Sequence, residues 1–271
     1  MTAPPTPTAV DVKTFGAVGD GVTDDTAAFI RAANSMKNLV VSRPPAHYRL
    51  TGKVRLYASI TGDGSVPEIR MYGADGQENH AIFEIRDYLG TCLVISGLHL
   101  NGQWDGVSTA GEWSHDIMIK GSKNVTVENN VLERPYGDCI LVGGEGDPNP
   151  SENVVIRNNQ MSGPRRCDVA LISVRNLTID GNVIRKSNGY VSAIDLEPNP
   201  NGLDADWGVT ISNNQFDVLG TAVLLYHATT GIPAGGIGGN VTITGNTGSA
   251  GVFYSKTGAW TNVVLSNNTV N

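Results

Sequence analysis

Cysteine is scarce in this chain: 271 residues carry three, Cys92, Cys139 and Cys167. An odd number with no CxxC spacing excludes a disulfide framework and a thiolate zinc site, and leaves buried free thiols as the expectation. Five scattered histidines supply no zinc motif either. No run of 18 apolar residues occurs, so no helical membrane span is expected. Basic residues are outnumbered, 19 against 26 acidic, and the resulting formal charge of -7 argues against a general nucleic-acid binder. The start, Met1 to Pro7, has neither the basic nor the apolar region of a signal peptide. Residues 1–9, rich in Pro and Thr, read as a flexible tail or linker.

What the chain has instead is a repeat. Six phrases open on Asn or Gly, alternate, and close on Asn: Asn124–Asn130, Asn153–Asn159, Asn176–Asn182, Gly208–Asn214, Asn240–Asn246 and Asn262–Asn268. Their starts lie 29, 23, 32, 32 and 22 residues apart. A constant strand with variable spacing predicts coils of one solenoid that differ in loop length, a parallel β-helix rather than an ankyrin or leucine-rich array. Within the phrases, Val125/Val127, Val154/Ile156, Leu177/Ile179, Val209/Ile211, Val241/Ile243 and Val263/Leu265 alternate with polar residues, so one face is buried. The closing asparagines fall at one point of each coil, where Asn tolerates left-handed turns and can bond to its copy about 4.8 Å away. Asn124, Asn176, Asn240 and Asn267 also fit a glycosylation sequon, but a stacked turn accounts for them.

A second strand aligns in each coil: Asp116–Lys120, Cys139–Gly143, Asp168–Ile172, Ala193–Glu197, Ala222–Tyr226 and Gly251–Ser255. Its outward column reads Met118, Leu141, Ala170, Leu224 and Phe253, except on one coil, which places Asp195 and Glu197 there. The expected architecture is all-β: a single-stranded right-handed parallel β-helix over 61–271, with a cap and the first coils over 10–60. A short helix at 24–34, started by Thr23 or Asp24, has an apolar side of Ala28, Phe29, Ala32 and Ala33 suited to covering the open end.

The segment Phe15-Gly-Ala-Val-Gly-Asp-Gly-Val-Thr-Asp-Asp-Thr-Ala-Ala-Phe29 resembles the N-terminal signature of the pectate-lyase-like superfamily. Tyr136–Gly143, Arg165–Ser173 and Ala193–Asn199 resemble consecutive coils of its bacterial and phage members. The resemblance spans nearly the whole chain and implies carbohydrate processing. It does not choose a reaction, since the superfamily includes lyases, glycosidases, epimerases and tailspike depolymerases.

Asp195 and Glu197, two apart on one strand, share an outer face with Cα atoms roughly 6.6 Å apart. Carboxylates that close raise one pKa, which suits an acid and a base. Glu197 is expected as the acid and Asp195 as the base or as a stabiliser of a cationic sugar. The alternative is a solvated face without a role. Arg134, Arg165, Arg166, Arg185 and Lys186 fall in loops entering the same sheet and suit an anionic sugar, or else pair with Asp138, Asp168 or Glu197. Tyr226, His227, Asp138 and Trp207 complete the candidate binding set, with Trp104 and Trp113 as further loop aromatics. Loops Gly143–Glu152 and Pro198–Trp207 are expected to wall the groove.

Two classes of function follow. One is an enzyme cleaving a polysaccharide, anionic by the arginines, by hydrolysis without a cofactor or by a lyase or epimerase route that would use Arg or Ca²⁺. The other is a non-catalytic glycan-binding or structural module of a phage tail fibre. The chain's last strand, Thr261–Val270, carries no cap, which suggests a trimmed domain or self-association such as a homotrimer. An extracellular or virion-surface setting fits either class.

Overall fold

The computed structural model describes residues 9–73, 81–144, 149–185, 192–199, 203–227 and 238–271. Three parallel sheets wind into a right-handed β-helix. Sheet A has ten strands, from Val10–Asp11 to Thr261–Ser266. Sheet B has nine, from Tyr48–Leu50 to Thr269–Val270. Sheet C has eight, from Val54–Arg55 to Val252–Lys256. All six repeated phrases lie next to one another in sheet A, in register: Val154 opposes Leu177 and then Val209, and Ile156 opposes Ile179 and then Ile211. These inward side chains are fully or nearly fully buried, and each such Val, Leu or Ile contributes about 1.5–3 kcal/mol.

The corner from sheet A to sheet B has two residues with separate jobs. The first turns the chain: Asn129, Asn158, Gly181, Asn213, Gly245 and Asn267 have φ of 56°, 54°, 64°, 55°, 67° and 54°. That left-handed geometry costs Gly and Asn least. The second is the closing asparagine, expected from the sequence to take the left-handed turn itself; the residue before it does so instead. Freed from that, the closing asparagines form a ladder. Asn130 donates from its backbone N and its Nδ2 to Asn159 Oδ1 (3.0 and 3.1 Å), and the same pair of bonds repeats from Asn159 to Asn182, to Asn214, to Asn246 and to Asn268. The four sequon asparagines occupy left-handed turn positions, with φ of 53–59°.

Helix α1 spans Thr26–Asn34 and buries Ala28, Phe29, Ala32 and Ala33, with Phe29 edge-on to Tyr48 at 5.3 Å. Asp24 Oδ1 accepts from the Thr26 N–H at 3.0 Å, so Asp24 holds the first turn. Asp25 instead turns back into the Gly-rich segment and accepts from Val18 N at 2.6 Å and Gly19 N at 3.1 Å. Gly19 has φ 71°, and a Cβ there would meet Pro44 Cβ at 2.6 Å. The Gly-Asp-Gly turn is therefore a packing element of the cap.

The second-strand alignment holds except at its end. Val223 pairs with Tyr254 and Leu224 with Ser255, two residues on from the expected register. A slip of two preserves side-chain parity, so alternation alone could not detect it. It removes Phe253 from the Leu224 column. Of the cysteines, Cys139 and Cys167 are buried, whereas Cys92 is exposed, just ahead of strand Leu93–Ser96.

Candidate active site

The outer face of sheet C is built from columns one residue deep per coil. Met118, Leu141, Ala170, Asp195 and Leu224 are consecutive partners in register. Glu197 and Tyr226 extend the next column, their backbone N–H groups donating to Leu171 O and Leu196 O at 2.9 Å. The face is not open along its length. Met118, Leu141, Ala170 and Cys167 are buried with Ala81 in a second apolar cluster separate from the main core, and Trp113 and Ile172 pack on it. The segment between sheets B and C, residues 102–116, supplies Trp113 and so covers these coils. Outward residues here pack, because the longest B-to-C connection among the described residues folds over them. Asp195 stands where this covered strip ends.

Asp195 is only 1% exposed. Its Oδ2 lies 3.9 Å from the Cys167 thiol, and its Oδ1 has no hydrogen-bond partner. Burial, then the neighbouring Glu197 and Asp138 charges, push its pKa up to about 8, with Arg166 opposing. Glu197 is half-buried; burial raises its pKa too, again against Arg166. Asp138, fully buried, is held below the usual carboxylate range: the burial penalty is outweighed by His115, Arg166 and the Cys167 N–H, which donates to Oδ1 at 2.9 Å. His115 Nδ1 lies 3.2 Å from Asp138 Oδ2 and 3.0 Å from the Asp138 backbone N, and one nitrogen cannot both donate to the first and accept from the second. The Asp138 backbone N–H points at Nδ1, so Nδ1 accepts that bond, and Oδ2 approaches the ring without an aligned hydrogen bond. Arg166 joins the acids. Its Nη1 donates to Glu112 Oε1 at 2.7 Å, its Nε lies 3.9 Å from Asp138 Oδ1, and its charge acts on Asp195 and Glu197. Its own pKa rises because these anions, Asp138 foremost, outweigh its burial.

Of the residues expected from the sequence, Asp138, Arg166, Asp195 and Glu197 come together, and Tyr226, 39% exposed, stands one coil on. Arg165 does not reach the groove. It is buried and donates to the Tyr136 and Thr109 carbonyls at 2.6 and 2.8 Å, tying down the covering segment. His227 is fully buried. Trp207 lies in sheet A, within strand Asp206–Ser212 and paired with Arg175 and Gly239, so it is neither a loop residue nor over sheet C. Trp104 is also buried, its indole N–H bonded to Ser108 O at 2.9 Å. Nor do the basic residues line one edge of sheet C. Arg134 donates to Asn101 on sheet B, and Arg185 ends the sheet B strand Val183–Arg185. Lys186, with residues 145–148 and 200–202 of the two wall loops, lies outside the described residues.

Three participants had not been singled out: Glu112 and His115 from the covering segment, and Lys120, whose Nζ lies 5.8 Å from the Trp113 ring centre. The cluster Glu112-Trp-Ser-His115 in the longest B-to-C connection was the available signal. A cavity of about 380 Å³ lies elsewhere, lined by Arg43–Ala46, Ser65–Glu68 and His99 at sheet B. No carboxyl with a raised pKa lines it.

Residues 9–271 match the family described as rhamnogalacturonase A/epimerase, pectate lyase-like, and the chain belongs to that family. The pre-neck appendage protein of Bacillus phage phi29 is 30% identical over an alignment 244 residues long that covers 76% of this chain and 26% of the phage protein. The preneck appendage protein of Bacillus phage PZA matches to the same extent. The chain thus spans about a quarter of the length of these curated relatives. Among solved structures, the iota-carrageenase of A. fortis superposes with a TM-score of 0.65 at 16% identity, covering 92% of this chain and 54% of that one. The tailspike protein of Acinetobacter baumannii bacteriophage Fri1, a capsular polysaccharide depolymerase, gives 0.61 at 15% identity, covering 96% and 50%. At these identities the structural likenesses establish the shared fold.

Proposed function

We propose that the chain is a glycoside hydrolase that cleaves an anionic polysaccharide along the outer face of sheet C, with Asp195 as general acid and Glu197 as its partner carboxylate. One observation carries this reading: a buried carboxyl that keeps its proton to about pH 8 stands two residues from a second, more exposed carboxyl on the same strand. A group still protonated at neutral pH can hand that proton to a glycosidic oxygen. Glu197, less buried and with Arg166 opposing the rise in its pKa, serves as base or nucleophile. This exchanges the roles expected from the sequence, because the covering segment desolvates Asp195 more deeply than Glu197.

Arg166 supports an anionic substrate. Its partner Glu112 is 54% exposed, so a sugar carboxylate can take that partner's place without stripping Asp138 of its counter-ion. Tyr226 and Trp113 offer rings at the groove for stacking on sugars. The set does not fit Ca²⁺-assisted β-elimination, because Arg166 already occupies the cationic position among the acids. The family description and the names of the structural neighbours agree with action on polysaccharide. The phage appendage relatives agree with a virion-surface or extracellular setting. Those relatives also favour a second reading, a glycan-binding appendage module without catalysis.

A panel of neutral and uronic polysaccharides tests these readings together. Hydrolysis releases reducing ends without the absorbance of an unsaturated product; a lyase releases both. Binding without either signal leaves the appendage module standing and removes the hydrolase. For a hydrolase, the anomer released identifies Glu197 as base, by inversion, or as nucleophile, by retention.

A further inference from the structure

Sheet B carries a second constellation, on three consecutive coils at the opposite side of the chain's chemistry. Strands Glu68–Met71, His99–Asn101 and Val131–Glu133 are neighbours, with Glu68 opposite His99 and Asn101 opposite Glu133. Alternation sends Glu68, His99 and Glu133 outward together. One ligand atom from each, two carboxylate oxygens and an imidazole nitrogen, lies within 4.8 Å of the others, and this is the one such trio among the described residues. His99 Nε2 stands 3.1 Å from Glu133 Oε1, yet this buried nitrogen makes no aligned hydrogen bond. Close approach of two electron-rich atoms without a proton in line between them is what a shared cation relieves. Two atoms bound to one ion at about 2.1 Å, at tetrahedral or octahedral angles, stand about 3.0–3.4 Å apart.

We infer that Glu68, His99 and Glu133 form a site for a divalent first-row transition ion such as Zn²⁺ or Mn²⁺. An imidazole beside two carboxylates suits these ions, whereas Ca²⁺ and Mg²⁺ take oxygen alone. The surrounding groups hold the ligands as an outer sphere does. Arg70 donates to both Glu68 oxygens at 2.7 and 2.9 Å, and Asn101 Nδ2 donates to Glu133 Oε1 at 2.6 Å. Glu68 and His99 also line the 380 Å³ cavity, whose walls include Pro44, Pro45 and Pro67. A coordination position not filled by protein therefore opens on a rigid cleft, where water or a sugar hydroxyl can complete the shell. Spacings of 31 and 34 residues hide this trio from any sequence motif; only stacking brings it together.

The test uses tag-free protein dialysed against chelator, then titrated with Zn²⁺, Mn²⁺ and Ca²⁺ by calorimetry. One Zn²⁺ or Mn²⁺ is expected per chain, raising the melting temperature. Asp195→Asn is expected to bind as wild type does. His99→Ala and Glu133→Gln, each checked for native circular dichroism, are expected to weaken binding at least tenfold and to abolish the metal-dependent rise in melting temperature. If His99→Ala does not fold, Glu133→Gln carries the test. Absence of saturable binding overturns the site, as do a preference for Ca²⁺ and undiminished binding by the folded variants.

Discussion

The asparagine corner of sheet A and the outer face of sheet C stand on the same coils but treat buried polarity in opposite ways. At the corner, one neutral amide recurs on six consecutive coils, and from Asn159 onward each Oδ1 accepts two bonds from the coil before it. Nothing there titrates, and no copy differs from the next. On sheet C the column passes from Met118, Leu141 and Ala170 to Asp195, and that carboxyl, unlike Glu84 further up the column with its Lys53 and Arg86 partners, has an oxygen without a partner among the described residues. Repetition gives each polar group its match and so yields stability. A single departure leaves a group unmatched, and its protonation becomes sensitive to whatever binds beside it.

The sharpest way to break this contrast is to remove the departure. Asp195→Asn keeps the shape and loses the proton, and turnover on the substrate found in the panel is expected to fall by about 10² to 10⁴. Glu197→Gln should fall in the same range, with melting curves still cooperative. Wild-type turnover in both variants would move the chemistry off sheet C. Next in size is Arg166→Ala, which strands the fully buried Asp138 charge; urea melts should show a loss of about 3–5 kcal/mol. Arg166 therefore cannot be removed without structural cost, in line with the pairing to Asp138 that the sequence left open as its alternative role. Arg166→Lys, which retains charge but loses the fork, is the cleaner probe of substrate affinity.

These two results would also show why the coil was legible from sequence and the site only in part. Val154, Leu177 and Val209 announce their face through neighbours two residues away, and the closing asparagines announce their coil by recurrence. Asp195 and Glu197 were legible for the same reason, as a break in a periodic column. Arg166, by contrast, meets Glu112 across 54 residues of chain, and His115 reaches Asp138 from a segment with no period. The elevated pKa of Asp195 arises from burial beside that segment, which no local pattern encodes. Arg165 and Arg166 are neighbours in sequence with opposite fates, one turned to buried carbonyls and the other to carboxylates, and only the fold separates them.

The ladder supplies a control of intermediate size. Asn182→Ala removes the acceptor for Asn159 and the donor to Asn214 and to Ile156 O. The stranded buried groups should cost about 1–3 kcal/mol, with turnover unaffected. A loss of activity comparable to that of Asp195→Asn would mean that corner and face are mechanically coupled, and the contrast would fail.

The smallest expected effect separates the two regions by pH. Asp195 binds its proton more tightly in the folded chain, up to about pH 8, than at the ordinary aspartate value of 3.8 that holds in the unfolded one. Between those values the folded state holds a proton that the unfolded state has released, so stability falls as pH rises and levels off above the folded pKa. From pH 7 to 9 the Asp195 share of this loss is about 1 kcal/mol. Asp116 and Asp206, pushed well above the usual carboxylate range by burial, add losses of the same sign, so the wild-type curve alone does not isolate Asp195. The difference between wild type and Asp195→Asn does, and it should shrink by that amount over the interval. The corresponding difference for Asn182→Ala should stay flat, because amides do not titrate. The same proton governs catalysis: the alkaline limb of kcat/KM should fall near pH 8. A limb displaced to pH 5, with a flat Asp195→Asn stability difference, would show that Asp195 is ionised at neutrality and cannot be the acid.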